Sequence, residues 1–405
     1  MNAVVLIIFA CVYLGMILGR LPGLAIDRTG VALLGAALLV GFECITPSEA
    51  WHAIDVPTIL LLLGLMVISA QLRLGGLYST VTRRMAAANL TPRGFLLLLI
   101  GVTALLSALL ANDVVCLAVT PLLADSCLRR GWKPVPFLLA LACAANVGSA
   151  ATLIGNPQNM LIGQALRLSF AGYLLDGLAP AVLGCLLTWG VICVQVGGDW
   201  FQTPCETRVE TRPLRRWQTV KGVLVLTALV AAFLFAPLPR EVVVLVAMAL
   251  LLMSREMHTR DMLSLVDWQL LVLFGGLFIV NHALAVTGLT ASGLDWLREH
   301  GVHLREPAWL FGTTAVLSNV VSNVPAVMLL LPAAEHSQAG AILALSSTLA
   351  GNLFIVGSIA NIIVVDQAAR LGVRIPWTVH ARVGVPVTLL TLAAAAGWLW
   401  LRSLM

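Results

Sequence analysis

Charge is what this 405-residue chain has least of. Asp, Glu, Lys and Arg make up 11% of it, against 60% hydrophobic residues, and the mean hydropathy is +0.98. A soluble domain carries roughly 25% charged residues, so the polar surface needed to cover a water-borne globule is missing. Metal-site spacing is missing too. The 8 cysteines show neither a C-x-x-C pair nor a Cys/His pattern, and thiols in apolar runs behave as small hydrophobes. No Ser/His/Asp, H-E-x-x-H or phosphate-loop signature occurs, and His282, inside an apolar run, has no acid at helical spacing. The chain is therefore not expected to be an enzyme. Its net charge of +5 lies in short loops, which argues against a nucleic-acid partner. The first apolar run lacks a basic leader and a small-residue cleavage site before Arg20, so it is expected to be retained as a helix.

What the chain has is apolar length. Residues 2–19, 30–42, 56–70, 178–196, 220–236 and 383–401 form runs about as long as a bilayer crossing requires. An all-α polytopic membrane protein follows, in a plasma or inner membrane.

The sequence also repeats itself. "SEAWHAIDVPTILLLLGLMV" (48–67) aligns with "RDMLSLVDWQLLVLFGGLFI" (260–279), placing Asp55 on Asp267. "TALLSALLANDVVCLAVTPLLAD" (103–125) aligns with "TAVLSNVVSNVPAVMLLLPAAEH" (314–336), placing Ser107, Asn112 and Pro121 on Ser318, Asn323 and Pro332. Gly155 and Asn159 of "TLIGNPQNMLIGQA" correspond to Gly357 and Asn361. Residues 1–200 and 213–405 are read as two copies of one unit, with 201–212 as a cytoplasmic linker.

The centre of "LLSALLANDVVCLAVTPLL" (105–123) decides the topology. Asp113 there would cost a few kcal/mol to bury in hydrocarbon. Basic segments on both sides of it, "RLGGLYSTVTRRMAAANLTPR" and "RRGWK", belong on one side of the membrane. A re-entrant hairpin over about 93–128, with its tip at Asn112-Asp113, satisfies both. With its counterpart at about 308–333 and broken helices at about 136–166 and 341–367, each copy has five transmembrane helices plus one re-entrant hairpin. The second copy is then inverted and both termini are non-cytoplasmic. That arrangement puts 19 of the 24 Lys and Arg residues on the cytoplasmic side.

The four interruptions carry the chemistry. At the tips stand Asn112, Asp113, Ser322 and Asn323; at the breaks, Ser149, Thr152, Asn156, Asn159, Asn352, Ser358 and Asn361. Glycine frees the backbone and Asn or Ser caps the next half-helix, so helix N-termini with free N–H groups face the midplane. Such interruptions are tolerated in membranes where they line a cavity, as in secondary transporters. No Lys or Arg lies in these motifs, so a small anion would be held by amides and dipoles. Asp113 could carry a coupled proton, take part in a Na⁺ position near Asn112 and Asn323, or accept from a hydroxylated neutral substrate. The plainer alternative makes the asparagines helix caps and Asp113 a complement to a helix N-terminus. Asp55 and Asp267 read as N-terminal caps and 79–90 as an amphipathic surface helix; Asn281 and His282 could line the pathway, with packing the preferred reading for the histidine.

"ANDVVCLAVTPLL", "NVGSAATLIGNPQN" and "SNVPAVMLLLPA" resemble the ion-transporter superfamily of citrate transporter-like proteins and divalent-anion/sodium symporters, which also holds arsenite and silicon efflux permeases and sodium/proton antiporters. Dicarboxylate symporters of that group typically read Ser-Asn-Thr at both tips. Here the tips read Ala-Asn-Asp and Ser-Asn-Val, closer to the arsenite-permease branch. The resemblance implies that Asn112, Asn159, Ser322, Asn323 and Asn361 line a central site. It also implies a homodimer with an elevator-type movement. The expectation is a secondary active transporter of a small inorganic anion or weak acid, oxyanion-like or carboxylate. It would be coupled to H⁺ or Na⁺ and have no other cofactor; a sodium/proton antiporter is the alternative.

Overall fold

The computed structural model describes residues 2–19, 25–205 and 213–404; residues 20–24, Arg20 among them, and 206–212 of the expected linker lie outside them. In hydrocarbon every backbone polar group must be satisfied within the chain. Accordingly the described residues form twenty α-helices and no β-strand. The first ten are α1 (Asn2–Leu18), α2 (Arg28–Gly41), α3 (Pro47–Ala53), α4 (Val56–Leu74), α5 (Leu77–Ala87), α6 (Pro92–Leu109), α7 (Asn112–Arg129), α8 (Pro134–Ser149), α9 (Pro157–Ala165) and α10 (Phe170–Val196). The second ten are α11 (Arg216–Phe235), α12 (Arg240–Leu252), α13 (Thr259–Leu263), α14 (Trp268–Val286), α15 (Leu289–Glu299), α16 (Pro307–Val321), α17 (Asn323–Leu330), α18 (Ala339–Ala350), α19 (Ile359–Arg370) and α20 (Trp377–Ser403). Six of them, α4, α6, α10, α11, α14 and α20, are long and apolar enough to cross a membrane. The chain is a multi-pass integral membrane protein.

Element by element, the second ten follow the first in order and in local chemistry. Asp55 and Asp267 cap α4 and α14, accepting from the backbone N–H of Thr58 and Leu270 at 2.9 and 3.0 Å. Gly76 and Gly288, both with positive φ, start α5 and α15. Packing between the two sets is reciprocal: α2 lies on α14 and α12 on α4, α19 on α8 and α9 on α18, α19 on α7 and α9 on α17. Helices α10 and α20 run antiparallel. Asp176 pairs with Arg402 at 3.0 Å at one end, and the Gln195 amide donates to the Arg382 carbonyl at the other.

Burial separates an outside from an inside. Leu175, Val182 and Leu389 on the long helices α10 and α20 are more than half exposed, as lipid-facing residues would be. Every residue of α18 and the run Phe137–Ser149 of α8 are buried. Because lipid is as apolar as leucine, such helices associate through close packing at small residues. A Cβ on Gly148 would stand 2.3 Å from the Ala104 Cα, and one on Gly276 2.8 Å from the Ala32 carbonyl carbon. The amphipathic surface helix expected over 79–90 is α5, which buries Tyr78, Thr80, Thr82 and Met85 and leaves Arg83 and Arg84 exposed. Arg130 fastens its end: the guanidinium lies 4.7 Å from the Trp132 ring centroid and donates to the Ala86 and Ala88 carbonyls.

Candidate functional site

The two helices at the centre of the fold are interrupted, α8 from α9 and α18 from α19. At each gap one asparagine bridges the two pieces. Asn159 Nδ2 donates to the carbonyls of Thr152 at 2.9 Å and Ser149 at 3.4 Å. Asn361 Nδ2 donates to those of Phe354 at 3.1 Å and Gly351 at 2.9 Å. The offsets of seven and ten residues are the same in both halves, so the end carbonyls of α8 and α18 are satisfied by one device. Asn156 and Ser358 cap the restarted helices, accepting from Asn159 N at 2.9 Å and Ala360 N at 3.2 Å.

Each half then reaches into the gap of the other. Asn146, on α8, accepts at Oδ1 from Asn112 Nδ2 (3.2 Å) and Ser358 Oγ (2.9 Å). Its Nδ2 donates to the Oδ1 atoms of Asn352 (2.8 Å) and Asn361 (3.4 Å). Thr348, its equivalent on α18, accepts from Asn156 Nδ2 (3.2 Å) and Gln158 Nε2 (3.1 Å) and donates to Asn159 Oδ1 (3.3 Å). Ser149 links the two groups, donating to the Asn146 carbonyl at 2.8 Å and accepting from Asn156 Nδ2 at 3.0 Å. Buried amides and hydroxyls in hydrocarbon must be paired, and nearly all of these are. Two atoms are not: Asn112 Oδ1, an acceptor, and Asn352 Nδ2, a donor. Both residues are at least nine-tenths buried.

The chain reverses between α6 and α7, and again between α16 and α17, beside these gaps. The first reversal, through the extended residues Leu110 and Ala111, docks Asn112 N on the Gly155 carbonyl at 3.2 Å. At the second, the Asn323 amide donates to the Gly357 and Ser347 carbonyls, both at 3.2 Å. It accepts from Gln158 Nε2 at 3.3 Å and also contacts Ser318. Ser322 turns the chain at φ 78° and ψ 159°, a conformation almost confined to glycine, and its hydroxyl caps nothing. Such strain costs on the order of 1–3 kcal/mol. Ser322→Gly should therefore raise the thermal midpoint of the purified protein, by the equivalent of about 1 kcal/mol. An unchanged or lower midpoint would show that the surroundings do not store this strain.

Of the eleven residues singled out in the sequence, nine form this cluster or its walls: Asn112, Ser149, Asn156, Asn159, Ser322, Asn323, Asn352, Ser358 and Asn361. Thr152 turns away, donating to the Ala108 carbonyl on α6 at 2.5 Å. Asp113 stands at the tip but faces a separate cavity of about 90 Å³, shared with Arg73, Asp267 and Met66. Among the described residues its carboxylate makes no hydrogen bond. Asn281 accepts from Tyr13 Oη at 3.0 Å and donates to the Leu277 carbonyl, a packing role. The sequence reading passed over Asn146, Gln158, Thr348, Tyr173 and His380. Asn146 opens the quoted "NVGSAATLIGNPQN", and the Gly155-to-Gly357 spacing carried back nine residues from each glycine lands on Asn146 and Thr348.

A buried polar cluster built from paired helix breaks inside apolar helices is the design of membrane transporters. The family model described as "Citrate transporter" matches residues 4–350, and the chain belongs to that family. An uncharacterized transporter of Mycobacterium tuberculosis is 32% identical over 404 residues, covering 93% of this chain and 94% of the relative. The silicon efflux transporter LSI3 of Oryza sativa subsp. japonica is 28% identical, covering 92% of each. Among solved structures, the YdaH transporter of Alcanivorax borkumensis superimposes with a TM-score of 0.57 at 13% identity, covering 98% of this chain and 97% of that one. At that identity the likeness concerns the fold.

Proposed function

We propose that this protein is a secondary active transporter of a small weak acid, taken up by the site in a hydroxylated, uncharged or singly charged form. One observation carries the reading: at the two gaps the unpartnered buried atoms are amide and hydroxyl groups, the acceptors Asn112 Oδ1 and Asn319 Oδ1, the donor Asn352 Nδ2 and the Ser107 hydroxyl, with no cationic side chain among them. A solute bearing O–H groups offers both donors and acceptors to such atoms. A tricarboxylate such as citrate would bring several charges to a buried site without a Lys or Arg to meet them, and each buried unpaired charge costs at least a few kcal/mol. The name of the rice relative, silicon efflux, agrees with a hydroxylated solute; the family's name points to a carboxylate.

The coupling ion, H⁺ or Na⁺, acts through Asp113 in the adjoining cavity. Matching helix order, reciprocal packing and the antiparallel pair α10 and α20 support two copies of opposite membrane orientation. Each would comprise a re-entrant pair (α6 with α7, α16 with α17), a broken helix and full crossings. Both termini would then be non-cytoplasmic and the linker cytoplasmic. The reversals and breaks would move together, elevator-fashion, against the remaining helices of a homodimer.

The test is uptake by the purified protein in proteoliposomes, of arsenite, silicate, phosphate, citrate and succinate, with pH and Na⁺ gradients imposed separately. Saturable, gradient-driven uptake of a hydroxylated weak acid, with citrate and succinate inert, is the expected result. Saturable uptake of citrate alone would overturn it. The second reading, a sodium/proton antiporter, is favoured by the charged lining of the Asp113 cavity. It predicts proton movement driven by Na⁺ with no added solute.

A further inference from the structure

Two side chains on the long helices hold the gaps from behind. Tyr173, on α10, donates from Oη to the Ala150 carbonyl at 2.7 Å and accepts from Asn159 Nδ2 at 3.3 Å. His380, on α20, holds Nε2 3.1 Å from the Asn352 carbonyl. Ala150 and Asn352 are equivalent by the Gly155-to-Gly357 spacing. Tyr173 and His380 each stand four residues into their helix. One turn on, Gly177 and Gly384 are bare where a Cβ would meet those same two carbonyls, at 2.8 and 2.4 Å. The device is one and the same, but the first half uses a phenol and the second an imidazole. Both are buried, His380 at 1% exposure.

The difference is chemical. A tyrosine hydroxyl keeps its proton throughout the range between about pH 5 and 8, whereas a histidine ordinarily changes charge within it. The Asn352 carbonyl needs a proton on Nε2. Imidazolium donates from both ring nitrogens. Neutral imidazole donates from one only, and the Nδ1–H form turns a lone pair toward the carbonyl. A charge-assisted hydrogen bond is also roughly twice as strong as a neutral one. What His380 holds is the backbone of the residue whose side chain carries the unpartnered donor.

We propose that His380 is a proton-responsive positioning residue for the second half of the site. Protonated, it fixes the Asn352 backbone so that Nδ2 stays aimed at the solute; neutral, it lets that gap relax and weakens binding. This rests on reading the asparagine cluster as the solute site. Helices α8, α10 and α18 pack against α20. Their titratable groups are Cys143 on α8 and Tyr173, Asp176, Cys185 and Cys193 on α10; α18 has none. Asp176 is engaged with Arg402 at the far end of α20, and the nearest charge along α20, Arg382, is exposed.

The test uses the full-length protein with His380→Gln, which keeps an N–H donor but does not titrate, and His380→Phe, which removes the donor. Binding of arsenite and silicate is followed by thermal shift between about pH 5 and 8. The thermal midpoint without solute is followed over the same range. Wild type should show apparent affinity falling several-fold as pH rises. In H380Q the affinity should stay constant within about twofold, with a flattened midpoint profile, and H380F should bind weakly throughout. A wild-type pH response in H380Q would overturn the inference. Should wild type bind neither solute, the reading of the site fails, and the solute-free midpoint profiles of wild type and H380Q still decide the role of His380.

Discussion

Replacing Asn146 by alanine is expected to abolish transport. The substitution removes one amide and strips a partner from four buried groups at once: Asn112 Nδ2, Asn352 Oδ1, Ser358 Oγ and Asn361 Oδ1. Leaving a single buried polar group unsatisfied costs about 1–3 kcal/mol. Inside hydrocarbon no water repairs the loss. Even partial relaxation leaves a penalty of about 3 kcal/mol, which is about a hundredfold in rate if it falls on the working geometry. Thr348→Val, which removes only the equivalent hydroxyl, should be milder. The measurement is initial uptake in proteoliposomes with the thermal midpoint recorded on the same preparations. Wild-type uptake by N146A would mean that the two gaps are not held together through this residue.

Asp113→Asn should have the second largest effect, and a different one. Asparagine keeps the volume and removes a charge whose burial at membrane depth costs on the order of 2.5–3.5 kcal/mol, so insertion and assembly are expected to be intact. Because Asp113 faces the Arg73 and Asp267 cavity and not the amide cluster, solute binding should survive. What should fail is coupling: uptake driven by a pH or Na⁺ gradient falls at least about tenfold, while exchange of solute for solute across the membrane persists. Gradient-driven uptake unchanged across the pH range would sink the assignment. Loss of binding along with coupling would place the carboxylate in the solute site after all.

Much of this molecule is legible in its sequence for one physical reason. In a chain this apolar, polar residues and glycines in the middle of long hydrophobic runs are costly and therefore conspicuous. Asn112, Asn159, Asn323 and Asn361 stand out in this way, and the repeat doubles the signal by placing each interruption twice. The caps at Asp55 and Asp267 were equally readable, because a cap is a local interaction over three residues.

The rest depended on distances between residues far apart in the chain. Asn146 sits within a helix and carries no signature of its own; it is a hub because Asn352, Ser358 and Asn361, more than two hundred residues later, fold against it. Thr152 belongs to the same motif as Asn156 and points elsewhere because a carbonyl of α6 lies within its reach. Asp113 follows Asn112 directly, yet consecutive helical residues project about 100° apart, so one side chain enters the amide cluster and its neighbour the adjoining cavity. Backbone strain at Ser322 and the equivalent places of Tyr173 and His380 are likewise invisible in composition. The sequence by itself thus determined a helical membrane protein with paired interruptions. Only the tertiary structure decided which polar atoms meet across them, since side-chain pairing in lipid is set by where helices cross and not by what stands beside each residue along the chain.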